Sequence, residues 1–104
     1  MKFVLAYTLR GGGDVEDRIE GSEMSQKLLA TWAPSDAATM HQWLQRCDAN
    51  GGFAVLETED SAALYKDLAT WNPWLEFEVY PVLDIGEASP LTQEAIDIAK
   101  SAES

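Results

Sequence analysis

Apolar side chains fill both alternating sets of the first stretch, Phe3-Val4-Leu5-Ala6-Tyr7-Thr8-Leu9. A strand with that pattern suits the middle of a sheet covered on both faces, and we read it over Lys2–Leu9. The period then changes. Asp14 is placed to cap a helix, with Val15 and Ile19 on one face; beyond Gly21, Met24, Leu28 and Trp32 resume in a shifted phase. The pattern predicts a short helical turn near residues 15–20, then a main helix from Ser22 to Thr31 that Pro34 ends. A hairpin follows, Thr39 to Asp48 joined to Phe53 to Thr58 through Ala49-Asn50-Gly51. Asp60 caps a second helix, Ser61 to Trp71, in which Leu64, Leu68 and Trp71 repeat at i, i+4 and i+7. Asn72-Pro73 stops it. The last strand runs from Leu75 to Leu83, and Pro81, which cannot donate to a ladder, places it at a sheet edge. Ser89-Pro90 then reads as a cap with proline at the first helical position. Leu91, Ala95 and Ile98 give that final helix one apolar face.

The order is β-α-β-β-α-β with an extra C-terminal helix, a ferredoxin-like α+β sandwich on a four-stranded antiparallel sheet. We expect the domain over residues 1–86 and a helical extension over 87–104. Helices cover only one face of such a sheet, so the other must find water, a partner or a ligand. The hairpin turn sets which residues lie there. Asp48 and Gly51 suit a type I turn with a Gly bulge, which pairs Cys47 with Phe53, Gln45 with Val55 and Trp43 with Glu57. A two-residue Asn50-Gly51 turn is the rival, and it changes which faces go together. On the first register Tyr7, His41, Trp43, Gln45, Val55, Glu57, Glu76, Glu78 and Tyr80 share the open face. Val4, Ala6, Met40, Leu44, Ala54, Leu56, Phe77 and Val79 face the helices. An open face of aromatic residues and carboxylates suggests an interface or a ligand groove, and we expect a homodimer that covers it and leaves a partly polar cleft.

Charge narrows the partners. The chain has 104 residues, eighteen acidic against seven basic, for a formal net charge of −11. Duplex binding depends on Lys and Arg neutralising phosphates, and an anionic bilayer repels an acidic surface; neither nucleic acid nor a membrane is expected as a partner. Cys47 is the one cysteine, which suits a reducing compartment, and no cleavable leader precedes the first strand. A cytoplasmic location is expected. Arg10-Gly11-Gly12-Gly13 is a flexible break without the spacing of a phosphate loop.

No catalytic signature is present, so any catalytic residue stays unknown. His41, the one histidine, has a natural pKa suited to proton transfer; the favoured reading is a strand residue tucked against Trp43 or hydrogen-bonded to Glu59. A Cys47–His41 nucleophile pair is excluded because six strand residues separate them by about 20 Å, and Cys47 reads as a small packing residue near the turn. One His with scattered carboxylates matches no metal-ligand spacing, and no cofactor is implied. Glu57, in a central strand, is either a half-exposed strand-end carboxylate bonded to Tyr7 or Trp43, or a pocket base. Tyr7, Trp43 and Tyr80 form either an aromatic wall for a flat ligand or a dimer seal. The candidate binding set is therefore Tyr7, His41, Trp43, Glu57 and Tyr80.

Two stretches, His41-Gln42-Trp43-Leu44-Gln45-Arg46-Cys47-Asp48 with Gly51 to Thr58, and Phe77 to Ile85, together with Trp32-Ala33-Pro34, resemble a bacterial domain-of-unknown-function family, the one numbered 3303. The resemblance covers most of residues 1–85. It implies the dimeric α+β-barrel superfamily, whose members include cofactor-free monooxygenases, haem-degrading enzymes, isomerases and ligand-sensing regulators. The Asn, Trp and His arrangement of the haem-degrading members does not map onto this chain. A scaffold and a pocket location follow, not a reaction. The expected function is a homodimer that binds a small apolar or aromatic molecule in the open-face cleft. The alternatives are a structural or protein-interaction module, and a cofactor-free oxygenase or isomerase with His41 or Glu57 as base and Tyr7 or Tyr80 as hydrogen-bond donor.

Overall fold

A computed structural model describes residues 1–11 and 13–103; Gly12, in the expected flexible break, lies outside them. The elements are β1 (Lys2–Leu9), α1 (Val15–Thr31), β2 (Ala38–Gln45), β3 (Gly51–Thr58), α2 (Ser61–Trp71), β4 (Leu75–Val82) and α3 (Ile85–Glu103). They form one four-stranded sheet in the order β2-β3-β1-β4. All the strand pairs are antiparallel, so the fold is the ferredoxin-like α+β sandwich with an extra C-terminal helix. The doubly apolar β1 is central and the Pro81 strand is at the edge, as the pattern predicts.

The helices differ from expectation at their ends. α1 is continuous through Gly21, since one helical glycine costs only about 1 kcal/mol. Asp14 caps it, accepting from the Asp17 N–H at 2.8 Å, while the Asp14 N–H donates to the Asp17 carboxylate at 3.2 Å. α3 starts at Ile85, not at Ser89-Pro90, because the Asp84 carbonyl already accepts from the Glu87 and Ala88 N–H groups at 3.0 Å each. Pro90 therefore sits inside the helix.

The hairpin departs further. Arg46 N–H donates to Gly51 O at 2.7 Å and Ala49 N–H to Arg46 O at 3.0 Å, so the loop is longer than either predicted turn. Ala49 takes the left-handed conformation at φ 63°, and Asp48 accepts the Asn50 N–H at 3.0 Å. Gly51 and Gly52 are needed inside β3. A Cβ on Gly52 would lie 2.0 Å from Leu44 O and 2.4 Å from the Tyr7 hydroxyl, and one on Gly51 2.0 Å from Tyr7 O. The glycines serve the crossing of Tyr7 and not the turn.

Two clusters make the core on the helix side. Leu5, Ala54, Leu56 and Leu64 form one, with Phe3, Ala38, Met40 and Leu68 against it. Tyr7, Trp71 and Leu75 form the other, with Leu28, Trp32, Trp74 and Phe77. The buried Asp67 carboxylate accepts the Ser35 N–H, and Thr58 donates to Ala37 O at 2.8 Å. These two bonds tie the segment between α1 and β2 to the body. Neither α1 nor α3 contains a buried residue.

Candidate functional site

The open sheet face is built from alternate residues of all four strands. On the central strands β1 and β3 it carries Val4, Ala6, Phe53, Val55 and Glu57, and on the edge strand β4 it carries Glu76, Glu78 and Tyr80. β2 contributes Thr39, His41, Gln42 and Leu44, because a bulge between Met40 and Gln42 shifts its alternation. Val4, Ala6, Val55 and Phe53 thus make an apolar centre, with Glu57 toward the end of β3 and the carboxylates Glu76 and Glu78 along the β4 edge.

At one end of this face His41 Nε2 lies 2.9 Å from Glu57 Oε1. The hydrogen bond from His41 holds the Glu57 carboxyl below its usual range, a partial desolvation opposing it. An ionised carboxylate only accepts, so Nε2 carries the proton and, in the neutral ring, Nδ1 keeps a lone pair. Beside them Lys2 Nζ donates to Asp84 Oδ1 at 2.8 Å. That bond lowers the Asp84 pKa and raises that of Lys2. Tyr80 donates to Glu78, and this contact raises the Tyr80 pKa.

The five sequence-predicted residues do not share one face. His41, Glu57 and Tyr80 stand on the open side. Tyr7 is 7% exposed under the helices, and Trp43, 37% exposed, packs there too. Two causes explain the reversal. The observed register pairs Trp43 with Ala54 and Gln45 with Gly52, in place of Glu57 and Val55, because the longer hairpin loop shifts the second half of β2 by an odd number of positions; the bulge between Met40 and Gln42 then returns Thr39 and His41 to the expected face. On β1 both sets are apolar, and the larger set, Phe3, Leu5 and Tyr7, fills the core. Val4, Ala6 and Leu44 consequently move to the open face. The faces of β3 and β4 are as expected.

Tyr7 instead closes a buried polar chain. Its hydroxyl donates to Leu44 O at 2.8 Å and accepts from Trp43 Nε1 at 3.1 Å. Burial pushes its pKa up. Trp32, Trp43 and Trp71 meet edge to face with ring centroids 5.5, 5.6 and 5.7 Å apart. Cys47 is exposed in the hairpin loop, not packed.

The family model for a domain of unknown function, DUF3303, matches residues 1–96. The chain belongs to the DUF3303 family. The match takes in the whole sheet, α1, α2 and α3 as far as Ile96, further than the resemblance over residues 1–85. No curated protein matches the chain. In this DUF3303 domain the described residues hold no group of three or more His, Cys, Asp or Glu side chains placed to bind a metal. Among them no helix is long and apolar enough to cross a membrane.

Sequence reasoning missed a groove of about 630 Å³ between α2 and the β4 side of the sheet, with Tyr65, Leu68, Ala69 and Phe77 along it and Arg10 at one end. The Arg10 guanidinium is committed to Asn72 O at 2.6 Å, Asn72 Oδ1 at 2.8 Å and Glu76 Oε1 at 3.3 Å. None of the five predicted residues lines this groove.

Proposed function

We propose that this DUF3303 protein is a homodimer whose covered open face forms a cleft for a small, largely apolar or aromatic molecule. The observation that carries the reading is one composite surface. Val4, Ala6, Val55 and Phe53 give an apolar floor, Tyr80 an aromatic rim, and the His41–Glu57 pair a polar end. Binding sites are mostly apolar with a few placed polar groups that fix orientation. A ligand with an aromatic body and one hydroxyl or enol suits this surface. The His41 ring, oriented by Glu57, offers such a group either an acceptor or, when protonated, a donor. The same pair is the observation that favours a second reading, a cofactor-free oxygenase or isomerase with His41 as base.

The test is a nitrogen-15 NMR titration with 2-naphthol and indole as probes. Shifts confined to Val55, Phe53, Tyr80 and His41 are expected, and Val55→Asp should abolish them while the remaining spectrum stays folded. An open face silent to both probes at millimolar concentration would overturn the binding reading. Trp43 fluorescence is a poor reporter, because its indole packs on the helix side.

A further inference from the structure

The groove between α2 and β4 lies on the helix-covered side of the sheet, away from the open face. It exists because α2 sits over the two central strands, with Leu64 and Leu68 against Leu5, Ala54 and Leu56. The helix-facing side of β4 is less covered, and Val79 there is 39% exposed. Tyr65, Leu68, Ala69 and Asn72 form one stripe of α2 at i, i+3, i+4 and i+7. They wall the groove, and Phe77 lines it from β4. Its volume of about 630 Å³ is ordinary for a small-molecule site. Tyr65 is 75% exposed, a large ring beside the groove with little burial of its own.

The polar end is more specific. A guanidinium has five N–H donors, and Arg10 spends three of them, on Asn72 O, Asn72 Oδ1 and Glu76 Oε1. Two remain. The bond to Oδ1 leaves the Asn72 NH2 group to donate. Glu76 is exposed, its contact with Arg10 is the longest of the three at 3.3 Å, and its Oε2 has no partner among the described residues. Glu78 also borders the groove, but its carboxylate accepts from Tyr80. A cation with donors to spare and an anion with an acceptor to spare thus stand side by side at the end of an apolar groove. A ligand with one charge would be drawn to one of them and repelled by the other. A zwitterion satisfies both. The net charge of −11 weighs further against a simple anion and leaves a neutral zwitterion unaffected.

We propose that the α2–β4 groove binds a free α-amino acid with an aromatic or large aliphatic side chain. Its carboxylate takes the two spare Arg10 N–H groups and the Asn72 NH2, and its ammonium donates to Glu76. The side chain lies along Tyr65 and Phe77, in the room that Ala69 leaves. This site is separate from the open-face cleft and does not depend on the homodimer.

The test is a nitrogen-15 NMR titration of the full chain with L-phenylalanine, 3-phenylpropanoate and 2-phenylethylamine, which share a ring and differ in charge. Phenylalanine should shift Arg10, Ala69, Asn72 and Phe77. Each singly charged analogue should bind about fivefold more weakly, the upper range for one exposed ion pair. An analogue that binds as tightly as phenylalanine would overturn the amino-acid assignment. A groove silent to all three at millimolar concentration would overturn the site. Ala69→Phe fills the groove from an exposed position and should abolish the shifts with the circular dichroism retained. Glu76→Gln decides independently of that variant's folding. It should weaken phenylalanine about fivefold and strengthen 3-phenylpropanoate, whereas unchanged affinity for both would remove Glu76 from the site and the zwitterion with it. The neutral 2-naphthol and indole lack both charges, so failure of their binding at Val55 would overturn the cleft and leave this groove standing.

Discussion

The two faces of the sheet draw on the same four strands and end in different states. On the helix side Leu5, Tyr7, Ala54 and Leu56 are buried, and three indoles lock edge to face within 5.7 Å. On the open side Phe53 is 46%, Tyr80 49% and Leu44 51% exposed. Both faces are apolar at the centre. The covered face holds large side chains on β1, whereas the open face has Val4 and Ala6 there, with Phe53 and Glu57 on β3 and further charge on the edge strands. Apolar content alone therefore does not identify the core face. Residue size on β1 does.

The comparison can be broken by deletion on each side. Trp71→Ala should cost about 3–5 kcal/mol, read as a lower urea midpoint, because Trp71 touches Trp32, Trp43 and Trp74. Val55→Ala should cost under about 1.5 kcal/mol in dilute protein. A Val55→Ala cost that approaches that of Trp71→Ala and grows with protein concentration would show the open face buried in a dimer. Tyr7→Phe comes next, at about 1–3 kcal/mol, since it leaves Leu44 O and Trp43 Nε1 without their partner. It also tests the alkaline limb. Burial raises the folded Tyr7 pKa, so its contribution is complete below the unfolded value of about 10 and is lost as pH rises through the folded one. The wild type should lose stability there more steeply than Tyr7→Phe.

Much of this was legible in the sequence. The element order, the bounds of β1 and α2, the Asp14 and Asp60 caps and the edge position of Pro81 rest on local chemistry, and all are present in the structure. The candidate site was half legible. His41, Glu57 and Tyr80 lie on the expected face, but Tyr7 and Trp43 do not: both alternating sets of β1 are apolar and the larger fills the core, and the longer hairpin loop exchanges the faces of β2 near the turn, while the bulge returns His41 to the open side. No residue type marks a bulge at Met40-His41-Gln42. The paired glycines that misdirected the turn serve a long-range contact with Tyr7, which local turn preference cannot reveal.

The smallest expected effect concerns the polar end of the open face, and it sharpens the comparison most finely. On the covered side polar atoms are held by burial; here both His41 and Glu57 are solvent-exposed, so one hydrogen bond does most of the work. Because His41 lowers the Glu57 pKa, the pair adds stability above the unfolded carboxyl value of about 4.3 and loses it as pH falls through the depressed folded value. Carbon-13 NMR titration of the Glu57 carboxyl should therefore show its midpoint rise in His41→Phe. Asp84 should rise less, because its own pKa is lowered mainly by Lys2 and only weakly by His41. Salt separates the two causes. At about 1 M the Debye length falls to about 3 Å, which removes the response of Asp84 while the direct bond at 2.9 Å still shifts Glu57. Equal movement of both carboxyls at high salt would mean that Lys2, His41, Glu57 and Asp84 titrate as one coupled cluster, and that the open face ends in a network and not in an oriented imidazole.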